Sequence, residues 1–415
     1  MASGLAAIAL IVGGLTVGVP ALAHAEGEAD YTQTACQRYA SAAPKGRAWQ
    51  VDRLRYDDLH AIATGKGVTV AVIDTGAAVG ATPELKRISL QVANFAGTDK
   101  QNNGMVDCLH GSFVMSLLAA GKDPDTGFSG IAPDVHVLAI RSLQESEGKE
   151  DPGPTIQAFQ AAIDAGVDII SISQQSAVDD PSYRAVVKKA VDAGILVVAA
   201  AGNSGPAGPS YPAAYPGVMA VGMTDESDVA NPNSQYDPNP PSGVSRMPIS
   251  VAAPGGAVLG MLPQCFPTDK DCPPDTGPAY FSSTGTSFAT PIVAGAAALV
   301  MERFPSLTAA QVKQLLENTA DTPANGPGDR QLGHGIINPY RALVGPRPVP
   351  APSSTPSGGG VDRVPPLEQV TNTAQRDTAL AVAGASLGVV GVAGVVAAAL
   401  PSGRRRRWRP AGRRD

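Results

Sequence analysis

The amino-acid sequence predicts an α/β protein with a doubly wound, mostly parallel sheet, helices on both faces, and one separate C-terminal transmembrane helix. Two observations support this. Between Gly67 and Leu343, short apolar runs alternate with segments of helix length, the order expected when helices connect parallel strands. Further along, Ala379–Leu400 is an uninterrupted apolar stretch of about 22 residues, the length that spans a bilayer.

The elements of the main domain follow from its apolar runs. The predicted strands are Val68–Ile73, Val135–Ile140, Val167–Ile172, Ile195–Ala200 and Val218–Val221. The predicted helices are Gly111–Ala120, Thr155–Ala165, Tyr183–Ala193, Thr290–Phe304 and Thr308–Thr319. In the fourth of these helices, Pro291 fits the first turn, where its missing N–H costs nothing.

The two ends of the chain predict export and anchoring. The apolar run Leu5–Val19 precedes Ala23-His24-Ala25, a small-x-small site of the kind that signal peptidase cleaves. No Lys or Arg precedes the run, which leaves open a start upstream of Met1. Beyond Leu400 the tail holds seven arginines, so the positive-inside rule places it in the cytoplasm and the main domain outside the membrane. The alternative is a buried helix followed by a nucleic-acid-binding tail.

These features divide the chain into six parts. The predicted parts are a signal peptide (1–25), an N-terminal extension (26–66), the main domain (67–345), a Pro/Ser/Gly-rich linker (346–378), the transmembrane helix (379–400) and a basic cytoplasmic tail (401–415). The extension is too short to be a separate domain.

Charge and cysteine content narrow the possible partners. Without the seven arginines and one aspartate of the tail, 24 basic and 36 acidic residues remain, a net charge of −12 that argues against nucleic acid. Four cysteines in an exported chain favour two disulfides among Cys36, Cys108, Cys265 and Cys272, with three pairings possible. Cys265 and Cys272 could close one loop and leave Cys36 paired with Cys108. Zinc is the alternative, but no CxxC spacing supports it.

Four residues stand where parallel strands end or helices begin, the positions at which sites gather in such sheets. Asp74 follows a strand, His110 opens a helix, Asn203 follows an apolar strand, and Ser287 lies at, or just inside, the start of a buried helix. Taken singly, each has a structural explanation: a turn cap, a turn amide or an N-cap. Taken together, they are the set that acyl transfer requires: an acid orients a histidine, the histidine takes a proton from serine, and an amide donates to the oxyanion.

The remaining histidines are better explained otherwise. His24 lies in the signal, His60 in an amphipathic segment, His136 in a strand and His334 in a Gly-rich loop. Only His110 opens a helix that could face the carboxyl edge of the sheet.

The four motifs VAVIDTG, HGSFV, AAAGNSG and GTSFATPIVAG occur in an order and spacing that resemble those of subtilisin-like serine proteases, over about Trp49 to Leu343. More narrowly, the chain resembles the mycosins, the membrane-anchored proteases of type VII secretion systems. GFSGIAPDVHVLAIRS and LGHGIINPYRAL read like mycosin segments, and the order of signal, extension, protease domain, linker, membrane helix and tail is the same.

The resemblance implies a subtilisin-like fold and a role for each motif. Ser287 would be the nucleophile, His110 the general base and acid, Asp74 its orienting carboxylate and Asn203 the oxyanion-hole donor. Substrate binding would fall to two segments, whose members are Ser173, Gln174, Gln175, Ala201 and Gly202. The resemblance further implies a protein or peptide substrate, secretion-system membrane components as partners and no cofactor. Calcium sites are frequent in subtilisins, but no loop here can be defended as one, and no metal site is predicted.

Three departures from the subtilisin pattern carry expectations. Met115 stands where Ala is usual and must fit beneath its helix. Gln175 replaces a Gly that would line the pocket for the residue before the scissile bond, which predicts a narrower, more polar pocket and poor digestion of casein. There is no room for the usual chaperone-inhibitor propeptide, so the extension around Cys36 is expected to wrap the domain.

Two rival functions remain open at this stage. The domain could mainly stabilise a secretion complex in the membrane, with proteolysis secondary. A sedolisin-type protease would share the Gly-Thr-Ser turn but use Glu as its base, and His110 disfavours it.

Overall fold

A seven-stranded parallel sheet forms the centre of the protein. A computed structural model describes residues 46–77, 82–95, 110–142, 152–239, 247–264, 277–326 and 328–345. The helices are α1 (Trp49–Arg53), α2 (Tyr56–His60), α3 (Pro83–Lys86), α4 (His110–Ala119), α5 (Gly153–Asp164), α6 (Pro181–Asp192), α7 (Thr286–Arg303), α8 (Ala309–Thr319) and α9 (Pro339–Val344). The strands are β1 (Thr69–Asp74), β2 (Ser89–Asn94), β3 (His136–Arg141), β4 (Ile169–Ile172), β5 (Leu196–Ala200), β6 (Met219–Thr224), β7 (Val251–Pro254), β8 (Val258–Pro263) and β9 (Pro278–Ser283).

The sheet has the strand order β2-β3-β1-β4-β5-β6-β7, and every neighbouring pair is parallel. Strands β8 and β9 form a separate antiparallel hairpin. The order reverses beside β1, and ligands bind at such switch points outside the carboxyl ends of the strands. The mostly parallel α/β fold predicted from the sequence is confirmed.

Successive residues of β1 enter two different cores, so both faces of the sheet are covered. Val70 and Val72 pack in the core that also holds α4 and α7. Ala71 and Ile73 pack in the core beneath α5 and α6. A strand buried on both faces reads as a continuous apolar run, which explains why this strand was visible in the sequence.

The buried helix α7 determines much of the packing on its face of the sheet. Every residue from Thr286 to Val300 is buried, because the helix lies against β4 to β7, α4, α8 and α9. Near its C-terminal end, the Glu302 carboxylate accepts hydrogen bonds from the backbone N–H groups of Thr64, Gly65 and Lys66 at 2.7, 2.6 and 3.0 Å. The far end of α7 is thereby attached to the segment that leads into β1.

Residues 46–66, assigned to the extension by the sequence analysis, contribute α1 and α2 to the same core. Val51, Leu54, Tyr56 and Leu59 are buried there. The predicted signal peptide, residues 26–45 of the extension, the predicted linker, the predicted membrane helix and the tail lie outside the described residues. Within the described residues, no helix has the length and apolar character needed to cross a membrane.

His60 in α2 gives this core a pH dependence. Its Nε2 lies 3.0 Å from the Ile131 carbonyl oxygen, and burial lowers the pKa of the imidazole below its ordinary value near 6.5. The unfolded chain therefore binds the proton more readily, so stability is fully present above about pH 6.5 and falls as pH drops towards the lowered pKa. We expect the wild type to lose more unfolding free energy between pH 7.5 and 5.5 than His60→Gln, measured by urea denaturation.

The matched control is His136→Gln, because His136 is exposed at the start of β3. This variant should keep the wild-type pH dependence. If the wild type and His60→Gln lost the same unfolding free energy between pH 7.5 and 5.5, His60 would not be the source of the pH dependence.

Candidate active site

The carboxyl end of β1 brings Asp74 into direct contact with His110. Asp74 is the last residue of the strand and fully buried. Its Oδ1 accepts hydrogen bonds from the Thr75 N–H at 2.7 Å, from the Thr75 hydroxyl at 3.2 Å and from His110 Nδ1 at 2.7 Å. Because Nδ1 carries the donated proton, Nε2 is the basic nitrogen of the neutral ring.

Gly111 allows α4 to begin this close to the sheet. A Cβ at this position would overlap the carbonyl oxygen of Gly76, so a larger residue would push the start of the helix away from β1. The Gly111 N–H donates to Thr75 Oγ1 at 3.0 Å. Thr75 thus contacts both Asp74 and Gly111, the residue after His110. These contacts hold Asp74 and His110 in position relative to each other. Met115, one turn along, is fully buried in the core, as its position under the helix requires.

Ser287 is the second residue of α7, which begins four residues earlier than predicted. Pro291 therefore lies inside the helix, and the prediction that it occupies the first turn is wrong. The helix tolerates this proline for a local reason. Pro291 lacks the N–H that would donate to the carbonyl oxygen four residues back, that of Ser287. The Ser287 carbonyl accepts instead from the Ser173 hydroxyl at 2.8 Å.

The Ser287 hydroxyl itself donates to the Ser173 carbonyl oxygen at 3.2 Å. Two reciprocal hydrogen bonds thus join the start of α7 to the residue that follows β4. Ser173, expected to bind substrate through its segment, is buried and holds the serine helix in place.

Asn203, just beyond β5, is oriented by the residue before Ser287. Its Oδ1 accepts from the Thr286 N–H at 2.8 Å and from the Thr286 hydroxyl at 3.0 Å. The same hydroxyl accepts from the Gly202 N–H at 3.0 Å. These two hydrogen bonds orient the side-chain amide of Asn203, whose Nδ2 is the group that can donate to a substrate oxygen.

An aromatic contact joins the two halves of the site. The Phe288 ring, next to Ser287 in sequence, lies 5.4 Å from the His110 ring and 4.8 Å from the Phe113 ring, measured between centroids. The Asp74–His110 pair and the group around Ser287 are therefore neighbours at one edge of the sheet, although they come from distant parts of the chain.

The other predicted substrate-binding residues differ in their placement. The Gln174 side chain is hydrogen-bonded to Ser142 and Thr155, so it points towards the end of β3 and the start of α5. Gln175 is exposed, with its amide against Gly202, and Ala201 is buried with its carbonyl accepting from Ser210 at 2.6 Å.

Cys36, Cys108, Cys265 and Cys272 lie outside the described residues, and their pairing stays a prediction. The described ranges contain no group of three or more His, Cys, Asp or Glu side chains suited to bind a metal ion.

Comparison with known proteins identifies the fold around this site. The model of the subtilase family, Peptidase_S8, matches residues 65–335, which include all four predicted site residues. The chain belongs to the subtilase family.

Several relatives of this subtilase are mycosins. Mycosin-1 of Mycolicibacterium smegmatis is 31% identical over 383 residues, covering 82% of each chain. Mycosin-4 of Mycobacterium tuberculosis is 33% identical over 318 residues, covering 69% of this chain and 67% of its own. The crystal structure of MycP1 from the ESX-1 type VII secretion system superposes with a TM-score of 0.60 at 28% identity, covering 77% of this chain and 93% of that one.

The subtilase is accordingly a serine endopeptidase similar to the mycosins, as the sequence resemblance predicted. Sequence reasoning missed two residues of the site, Thr75 and Thr286, which hold its parts together. Both lie inside the motifs, next to Asp74 and Ser287. Their hydroxyl groups, which can form hydrogen bonds to neighbouring site residues, are the sequence feature by which they could have been recognised.

Proposed function

We propose that this subtilase is an extracytoplasmic, membrane-anchored endopeptidase that cleaves exported proteins through an acyl-enzyme formed on Ser287. The observation that carries the proposal is the hydrogen bond between His110 Nδ1 and the buried Asp74, at the same edge of the sheet as the start of α7. A buried carboxylate with this geometry selects the tautomer whose Nε2 accepts a proton.

In the proposed reaction, Ser287 Oγ attacks the substrate carbonyl while His110 Nε2 takes its proton. Asp74 stabilises the resulting imidazolium. The oxyanion is bound by Asn203 Nδ2 and by the Ser287 backbone N–H, which belongs to the first turn of α7 and has no partner within the helix. His110 then gives its proton to the leaving amine, and water repeats the sequence on the acyl-enzyme.

Before attack, the Ser287 hydroxyl must leave the Ser173 carbonyl. A rotation about its Cα–Cβ bond achieves this, at the cost of one hydrogen bond, about 1 kcal/mol. The reciprocal bond from the Ser173 hydroxyl to the Ser287 carbonyl is independent of that rotation and would keep the helix in place.

The proposal is tested by labelling the exported part of the chain with a fluorophosphonate and locating the adduct by mass spectrometry. We expect a single adduct on Ser287, absent after heat denaturation and strongly reduced in His110→Ala. Labelling of another residue, or labelling that persists after denaturation, would exclude the proposed nucleophile.

Asn203→Asp separates the two functions of this side chain. The substitution keeps the oxygen that holds Thr286 but removes the Nδ2 donor. We expect kcat to fall by about 10²–10³-fold with KM little changed, because the oxyanion exists only in the transition state. Steady-state kinetics on one peptide substrate measure kcat and KM separately. Asn231→Asp, the same substitution at another loop position, is the control. A rise in KM with constant kcat would assign Asn203 to substrate binding instead.

Anchoring and export are proposed on the sequence. The signal at 1–25, the transmembrane helix at 379–400 and the basic tail at 401–415 would give a single-pass protein with the protease domain outside and the tail in the cytoplasm. The linker 346–378 would separate domain and membrane, and the four cysteines would form two disulfides in the exported part. In intact cells, a thiol reagent that cannot cross the membrane should label a cysteine introduced at the exposed Lys188 of the domain but not a cysteine introduced at Ala411.

A role in type VII secretion is supported by the relatives. MycP1 is described as a serine protease of the ESX-1 type VII secretion system, and MycP3 as a protease from the ESX-3 system. We infer that this subtilase acts beside membrane components of such a system, on proteins that the system exports. Nucleic acid is not among the proposed partners.

A further inference from the structure

The side chain of the substrate residue before the scissile bond must lie between two segments that flank Ser287. On one side, Ser173 is joined to Ser287 by two hydrogen bonds. On the other, Gly202 and Asn203 are joined to Thr286. The attacked carbonyl must reach Ser287 Oγ, and the adjacent side chain then enters the gap between the ends of β4 and β5.

The far end of this gap is closed by protein. The backbones of Ser176 and Tyr211 exchange two hydrogen bonds of 2.9 Å, which join the first segment to the loop beyond the second. The Ser210 hydroxyl donates to the Ala201 carbonyl. The gap between the two segments, called the pocket below, is therefore closed at this end.

Gln235 contacts Gly202, on the second of the two segments that flank the pocket. Its backbone N–H donates to the Gly202 carbonyl at 2.9 Å, and its side chain is 94% buried (6% exposed). Its Nε2 donates to the Gly208 carbonyl at 3.0 Å, so Oε1 is fixed on the side that faces Gly202. That Oε1 has no hydrogen-bond partner among the described residues.

Gln175 approaches the same face of Gly202 from the solvent side. A Cβ at Gly202 would overlap the amide oxygens of both Gln175 and Gln235, so both lie against its Cα. Two amide oxygens thus lie on the same side of Gly202. A buried acceptor without a partner is destabilising and calls for an explanation, and a ligand that donates a hydrogen bond to it is one.

We propose that Gln235 is a specificity-determining residue, whose Oε1 accepts a hydrogen bond from a short donor side chain, Ser, Thr or Asn, at the substrate residue before the scissile bond. Gln175 closes the pocket over that side chain and excludes large apolar ones. This inference rests on the proposed function, since it requires Ser287 to be the nucleophile. The substrates of this subtilase would then be exported proteins that are cleaved after a small polar residue.

The test uses peptidyl diphenyl phosphonates, which inactivate serine proteases at a rate set by the side chain at this position. Two isosteric pairs, Thr against Val and Asn against Leu, differ in the donor but scarcely in shape. We expect the donor member of each pair to inactivate the wild-type exported domain about tenfold faster. In Gln235→Met the two members should become equal, whereas Gln314→Met, on the exposed face of α8, should keep the wild-type preference.

A second variant tests the closing role. Gln175→Gly should raise the inactivation rate by the Leu phosphonate at least fivefold. Equal rates for Thr and Val in the wild type, or a preference that survives Gln235→Met, would overturn the inference. If Gln235→Met does not fold, as judged by circular dichroism, the wild-type pairs decide alone.

Fluorophosphonate labelling of the same preparation separates the two claims. No adduct on Ser287 refutes the proposed function and this inference with it. An adduct on Ser287 together with equal rates within both pairs refutes only the role of Gln235.

Discussion

Ser287→Ala is expected to lower kcat by about 10⁶-fold while the domain stays folded. The substitution removes the oxygen that would attack the substrate carbonyl. The structural cost is small, because the Ser287 hydroxyl donates one hydrogen bond, to the Ser173 carbonyl, and the bond from the Ser173 hydroxyl remains. Peptide hydrolysis measures the loss, and thermal unfolding shows that the fold persists.

A comparison of single and double variants controls this result. His110→Ala alone, Ser287→Ala alone and the double variant should lose similar activity, because the two residues act as a unit. Losses that multiply in the double variant would mean that the residues act independently. The same Ser287→Ala chain also tests the rival function in cells: if export survives this change but fails on deletion of the gene, stabilisation of the secretion complex is the main role.

Asp74→Asn is expected to lower kcat by about 10⁴-fold, with KM nearly unchanged. An asparagine amide can donate to His110 Nδ1, which favours the tautomer with its proton on Nε2, the wrong one for accepting a proton from Ser287. The carboxylate that would stabilise the imidazolium is also lost. Thr75 still holds the position through its hydrogen bonds, so the geometry should persist.

The measurement is kcat and KM for one peptide, with Asp168→Asn as the matched control. Asp168 also stands beside a strand of the same sheet, where its carboxylate accepts from the Thr69 N–H at the amino end, away from the site. The control should keep its activity. A decrease for Asp74→Asn as small as for the control would remove Asp74 from the catalytic set.

Much of the sheet could be predicted because its central strands are buried on both faces. The five predicted strands correspond to β1, β3, β4, β5 and β6 within a few residues at each end. The two strands missed in this sheet, β2 and β7, are at its edges. The β2 sequence SLQVAN mixes polar and apolar residues, and β7 has only four residues, so neither gives a clear apolar run.

Helix starts were less predictable because they depend on side-chain contacts. Helix α6 begins at Pro181, two residues before the predicted start, since Asp180 accepts hydrogen bonds from the N–H groups of Ser182 and Tyr183. Helix α7 begins at Thr286 because Asn203, far away in sequence, accepts its N–H. The first signal is local and could have been recognised, whereas the second requires the fold.

The same division applies to the site. The motifs located Asp74 and His110, whose contact the structure shows directly. They gave no sign that Gln174 points away towards Ser142, or that Gln235 approaches Gly202 from beyond β6. The motifs identify residues that lie within them. Residues from other elements that approach the site, such as Gln235, are found only from the three-dimensional structure.

The attachment of Glu302 to residues 64–66 has a consequence for maturation. Helix α7 is about 27 Å long, so the anchor and the nucleophile sit at opposite ends of one rigid rod. A processing cut at the boundary after Lys66 would separate from the domain the three N–H groups that donate to this carboxylate, together with α1 and α2, which pack in its core. We therefore expect any trimming of the N-terminus that preserves this core to end before Trp49.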